Sequence, residues 1–257
     1  MIIDRALVLV LGVLAVGCAG KDDFLGRVKI DPRNSGYVLV SEKRQSGYAI
    51  KDNSNHPLPS DGPPSRIMFF EASPPVDKSF GRPQVVFRDH TIVRFYDLRE
   101  VGPDYTISAS VRALRSAMKT RKTGNEIKRE PKLELPDYPV KNAGYLLREK
   151  VTYHHYRWGG GCFFLVQYTQ GPGNYPNNEE LTYLFQGISS DGRIYVAADF
   201  RVSHPMLPAT IRETPDLENI DDAAEAMAGK LGAQPDGSFA PELGEIRNFV
   251  GSFVLPQ

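Results

Sequence analysis

The chain has 257 residues, 41% of them hydrophobic, and its 31 basic and 31 acidic residues sum to a formal net charge of zero. Such a hydrophobic share fits a folded globule and excludes a disordered polar tail, while the balanced charge leaves no global field to recruit nucleic acid. The 23 glycines and 20 prolines predict many turns, and the two cysteines allow at most one disulfide.

The first element is the apolar run Ala6 to Gly17, followed by Cys18. A membrane-spanning helix needs about 20 apolar residues, so these twelve are too few to cross. An apolar core ending in small residues has the layout of a signal peptide. Ala15-Val16-Gly17-Cys18 resembles the lipobox of bacterial lipoproteins, with Ala15 where that motif usually has Leu. The resemblance implies that residues 1–17 are removed and that Cys18 carries a diacylglycerol and further acyl chains such as palmitate. Two or more chains hold a protein stably at a membrane, where one holds it only marginally. Ala19, by resemblance to the sorting rules of enteric bacteria, directs the protein to the outer membrane, facing the periplasm. Removal of residues 1–17 leaves 240 residues, read as a short polar tether over Ala19 to Asp23 and a single domain within 18–257.

Strands are predicted at Tyr37 to Ser41, Gly47 to Ile50 and Arg66 to Glu71, with loops over Lys51 to Pro64 and Ala72 to Pro83. Gln84 to Phe87 and Thr91 to Tyr96 read as a hairpin joined by Arg88-Asp89-His90. The spacing of Val111, Leu114, Ala117 and Met118 predicts a helix over Ser110 to Thr120, with Ser108 or Ser110 as its cap. Arg121 to Tyr138 is charged and reads as a loop with at most one strand.

From Tyr145 the pattern is β, with strands at Glu149 to Trp158, Cys162 to Gln170, Leu181 to Ile188 and Arg193 to Val202. In the last, Ile194, Val196, Ala198, Phe200 and Val202 alternate with Arg193, Tyr195, Ala197, Asp199 and Arg201, as in a half-buried antiparallel strand. Ser190-Asp191-Gly192 supplies the turn before it. Two helices close the chain. Asp221 to Leu231 has Asn219 as cap and Gly232 as stop, and Pro241 to Phe253 puts Leu243, Ile246, Phe249, Val250 and Phe253 on one face. The expected class is α+β, an antiparallel sheet with helices packed against it.

Residues 135–208 carry a second resemblance. Leu135-Pro136-Asp137-Tyr138-Pro139, Gly159-Gly160-Gly161, Phe164-Leu165-Val166-Gln167-Tyr168-Thr169-Gln170, Asn177-Asn178-Glu179-Glu180-Leu181 and His204-Pro205-Met206-Leu207-Pro208 are similar to a family of uncharacterised bacterial lipoproteins with a Tyr- and Gln-rich β core. That family pattern has a small or aliphatic residue and then an arginine where this chain has Cys162 and Phe163. The resemblance supports anchor and fold and carries over no catalytic residue.

Candidate chemistry is sparse. Neighbours on a strand point to opposite faces, so His154 and His155 do not readily share a metal, and His56, His90 and His204 add no ligand spacing. Neither a metal nor a cofactor is implied. Glu179-Glu180 and Asp221-Asp222 are adjacent pairs, unlike the opposed acid and base of hydrolysis. Cys162 reads as a buried thiol. The candidate binding surface is an aromatic and amide groove of Trp158, Gln167, Tyr168, Gln170, Tyr183 and Gln186, with the flexible Trp158-Gly159-Gly160-Gly161 loop as its rim. Arg112 to Lys132 holds eight basic residues against two acidic ones, and Glu213 to Glu225 holds six acids and no base. The basic stretch reads as a solvated face or a contact with anionic lipid. These features imply a lipid-anchored envelope protein that serves as a binding or structural module, with an envelope protein or glycan as its partner and a cell-envelope hydrolase as the alternative.

Overall fold

The computed structural model describes residues 23–30, 37–45, 63–72, 91–101, 106–122, 135–141, 143–214 and 218–256. Strands β1 (Lys29–Ile30), β2 (Tyr37–Gln45), β3 (Ser65–Ala72) and β4 (Thr91–Asp97) precede helix α1 (Thr106–Thr120). Strands β5 (Gly144–Tyr156), β6 (Gly159–Thr169), β7 (Thr182–Ser189) and β8 (Ile194–Arg201) follow. Helices α2 (Ile220–Gly232) and α3 (Leu243–Gly251) and strand β9 (Phe253–Val254) close the chain. The expected α+β class is what the chain adopts.

Among the described residues two antiparallel meanders make one seven-stranded sheet, in the order β2-β3-β4-β8-β7-β6-β5. They are joined where β4 pairs with β8, Val93 opposite Ala198 and Phe95 opposite Val196. β1 and β9 form a separate pair, Ile30 opposite Phe253. One sheet face buries Phe163, Leu165, Phe185, Val196 and Phe200 against Ala228 and Leu231 of α2 and Leu243, Ile246, Phe249 and Val250 of α3. The other buries Cys162, Phe164, Val166, Leu184 and Tyr195 against Ile107, Val111, Leu114 and Ala117 of α1, with Leu135 and Tyr138. Arg112, Arg115 and Lys119 lie on the exposed side of α1.

The main departure from expectation is at β8. Tyr195 and Ala197, on its mixed side, are fully buried, because α1 and residues 135–141 cover that face. A strand covered on both faces reads as nearly continuous apolar sequence, which is what Cys162 to Val166 of β6 shows.

Boundaries shift as well. α1 starts one turn before Ser110, so Ser108 and Ser110 lie inside the helix, and Ser110 Oγ donates to the Asp137 carbonyl at 3.3 Å. α3 is shorter than predicted, and Phe253 leaves it to pair in β9. Asn219 caps α2 as expected, its side chain accepting from Asp222 N. Gly192 takes φ 73° in the β7–β8 turn, where Asp191 Oδ1 accepts from Arg193 N at 3.0 Å. The predicted strands at Gly47 to Ile50 and Gln84 to Phe87, with Arg88-Asp89-His90, lie outside the described residues. β4 has β3 on one side and β8 on the other.

Gly159, Gly160 and Gly161 are strand residues of β6, not a flexible rim. The β5–β6 hairpin turns through Arg157 and Trp158 alone. A Cβ on Gly161 would lie 2.6 Å from Phe185 Cε2, and one on Gly187, its cross-strand partner, 2.6 Å from Phe185 Cε1. The absence of side chains lets the Phe185 ring lie flat on the sheet.

Candidate functional site

The six residues expected to line one groove fall on two faces and one edge. Gln167, Tyr183 and Trp158 belong to the side covered by α2 and α3. Gln167 is fully buried: its Oε1 accepts from Asn177 N at 2.9 Å, and its Nε2 donates to Glu180 at 3.2 Å. Tyr183 stacks on Phe163 with centroids 5.0 Å apart and accepts from Arg247 Nη1 at 3.3 Å. Trp158 donates to the Val250 carbonyl at 3.0 Å and stacks near Tyr156 and Phe253. These three hold the core and the chain turns around it.

Tyr168 and Gln186 face the α1 side. Gln186 accepts from the Tyr195 hydroxyl at 2.6 Å and donates to the Tyr138 carbonyl at 3.0 Å, pinning residues 135–141 across the sheet. Gln170 is exposed just past the end of β6.

The histidines separate as the pleat requires. His154 packs edge-on to Phe163 with centroids 5.5 Å apart, while His155 lies on the other side, its Nε2 2.6 Å from Arg121 Nη2. Burial, then the nearby Arg247 charge, lowers the His154 pKa. His204 is buried against Phe239, with Nε2 3.0 Å from Ser238 Oγ. Among the described residues no group of three or more His, Cys, Asp or Glu is placed to hold a metal ion. Glu180 accepts from Gln167, and Asp221 Oδ1 accepts from Gly173 N at 3.4 Å.

What the structure does gather is a cleft of about 300 Å³ between α1, residues 135–141 and the start of β5. Ala109 and Ala113 of α1 form one wall, Leu135 and Val140 another, and Asp137, Tyr145 and Arg148 its polar end. Thr106 and Ser110 complete the α1 side. Asp137 is held on both oxygens: the Tyr168 hydroxyl donates to Oδ1 at 2.9 Å and the Tyr145 hydroxyl to Oδ2 at 2.7 Å. The two tyrosine rings lie 5.3 Å apart, and the Arg148 guanidinium sits 5.0 Å over the Tyr145 ring.

Burial raises the Asp137 pKa above the ordinary carboxylate value, and Asp199 adds to the rise; the two phenols and Lys141 oppose it without cancelling it. Asp199 is itself paired with Arg94 at 2.6 Å and lies 4.0 Å from Lys141. Burial, then the Asp137 charge, raises both the Tyr145 and Tyr168 hydroxyls. The arrangement offers an acceptor carboxyl that is costly to ionise alone, beside an aromatic face and a guanidinium.

No protein-family model, curated protein or solved structure matches this chain.

Sequence reasoning singled out Tyr168 but not its partners. Asp137 stands between two prolines in a stretch read as loop, and Tyr145 and Arg148 precede the predicted start of β5. The one available signal was Tyr145 and Tyr168 in β-rich sequence, since a half-buried tyrosine needs a partner for its hydroxyl.

Proposed function

We propose that the protein is a lipid-anchored bacterial envelope protein, held through Cys18, whose work is binding, and that the cleft over Asp137 is its ligand site. The anchor is supported by the apolar run Ala6 to Gly17 and the lipobox-like Ala15 to Cys18 that ends it. Among the described residues no helix is long and apolar enough to cross a membrane, a fact that bears on neither a lipid anchor nor a β-barrel.

The observation that carries the binding reading is the cleft itself. A concave, mostly apolar space with a few convergent polar groups and a perturbed carboxyl is the usual form of a small-ligand site. A hydrolase would use Asp137 as its acid, but Asp199, the carboxylate whose charge it feels, is committed to Arg94. Binding is therefore the better reading.

A photoreactive amino acid at Val140, which is 60% exposed at the cleft rim, tests it in living cells. Val254, 56% exposed on β9, is the control position. The expected outcome is a discrete adduct at position 140 that disappears when Asp137 is changed to Ala. Equal labelling at the two positions would overturn the assignment of the cleft.

A further inference from the structure

The cleft carries a carboxyl and a guanidinium on one aromatic ring. The Tyr145 hydroxyl bonds Asp137 Oδ2, and the face of the same ring lies under the Arg148 guanidinium. The poles are thus held in fixed relation at one end of the space. A carboxylate has about four acceptor positions over its two oxygens, and the phenols occupy one on each. Arg148 hydrogen-bonds the Tyr145 side chain, and the rest of its five-donor fork is suited to a carboxylate. The walls formed by Ala109, Ala113, Leu135 and Val140 offer no side-chain hydrogen-bonding group. Of the two α1 hydroxyls beside them, Ser110 Oγ is given to the Asp137 carbonyl, which leaves the Thr106 hydroxyl as a single polar group on that side.

Each simple ligand class leaves something unmatched. A polyol would place several hydroxyls against apolar walls, where an unsatisfied polar group is costly. A plain anion would meet the Asp137 carboxyl, and a plain cation would meet Arg148. A ligand with an ammonium and a carboxylate a few bonds apart, on an apolar body, satisfies all three surfaces. A volume of about 300 Å³ lies at the small end of ligand pockets and suits one such unit.

We infer that the cleft binds a small zwitterion of the α-amino-acid type, its ammonium on Asp137, its carboxylate on Arg148 and its apolar side chain along α1. The inference rests on the reading of the cleft as a ligand site and adds the class of ligand. An arriving ammonium also favours the ionised form of Asp137, which burial disfavours, so binding and proton release are coupled.

The test is calorimetric titration of the full chain with the L and D forms of the common amino acids, each also as its N-acetyl and carboxamide derivative, and with neutral monosaccharides as comparison. At least one amino acid with an apolar side chain should bind saturably. N-acetylation and amidation should each weaken it about tenfold or more, the loss expected for one charge-assisted hydrogen bond. Asp137→Asn should erase the discrimination against N-acetylation, and Arg148→Gln that against amidation. Ala113→Trp leaves Asp137 and Arg148 in place but fills the cleft that they line, and it should abolish binding in a chain that still unfolds in one cooperative thermal transition.

Derivatives that bind as well as their parents would overturn the inference, as would failure of every zwitterion to bind. A monosaccharide that binds and blocks labelling at Val140 would remove the ligand class and keep the binding site. Equal labelling at Val140 and Val254 would remove the site itself.

Discussion

Asp137 sets the chemistry of the cleft because two phenols hold both its oxygens in a place where its charge is poorly hydrated. Its pKa is raised from the usual 3.8, burial being the main cause. The folded state therefore keeps a proton that the unfolded chain releases above that value. Stability from this group is fully present below the unfolded pKa and is lost as pH rises through the folded one. Asp236 has the opposite sign: burial pushes its carboxyl up, but Lys150 and Arg247 together outweigh it and hold the group below the ordinary value. The clean measurement is thus a difference between wild type and Asp137→Asn in urea unfolding, from about pH 3.5 to 7. The expected outcome is a wild-type stability that falls relative to the variant as pH rises. An amide keeps one acceptor for a phenol and offers N–H groups to the other, so the variant should fold. A flat or oppositely sloped difference would show that Asp137 is not raised.

At the scale of elements, the centre of the sheet depends on the cross-strand pair Gly161 and Gly187 lying under the Phe185 ring, with Trp158 Cη2 3.1 Å from where a Gly187 Cβ would stand. Gly187→Ala should cost about 1–3 kcal/mol, the usual range for overpacking a dense core. Combined with Phe185→Leu it should cost less than the sum of the single changes by about 1 kcal/mol, because the shortened side chain vacates the contested space. Urea unfolding of the four proteins in this cycle decides it, and strict additivity would mean the ring does not rest on these glycines. The same glycines mark how far the sequence could be read. The period-two alternation of Ile194 to Val202 and the helical spacing of Leu114 and Ala228 were visible locally, and they made the α+β class legible. Gly159 to Gly161 looked like a loop because what each glycine answers to lies outside the local window: the Ile188 carbonyl at Gly159, His154 and Met118 at Gly160, and the Gln186 carbonyl and Phe185 ring at Gly161. Burial of Tyr195 and Ala197 was hidden likewise, since their cover comes from α1 and residues 135–141. Of the candidate site, Tyr168 was legible as an aromatic in a strand. Asp137 and Arg148 were not, because only the crossing of residues 135–141 over the sheet brings them to the same cleft.

At the scale of the whole molecule, the proposed anchor decides which cysteines remain to hold the fold. With Cys18 acylated, Cys162 has no cysteine to pair with, and cohesion rests on the apolar layers on the two faces of the sheet. Cys162 lies on β6 in the layer beneath α1, fully buried, and burial pushes its thiol far above the ordinary range. The thiolate is the reactive form, so this side chain is protected both by cover and by protonation. Cys18→Ser then gives a chain with a single thiol and no acyl group. In fractionated cells this variant is expected to leave the membrane, with a mass that lacks lipid. Once purified, it should stay unreactive toward an aromatic disulfide reagent in native buffer and titrate as one thiol in concentrated urea. Retention in the membrane at unchanged mass would remove the anchor. Reaction at the rate of a free thiol in native buffer would instead mean that α1 does not stay on the sheet, and the cleft that α1 walls would lose its basis with it.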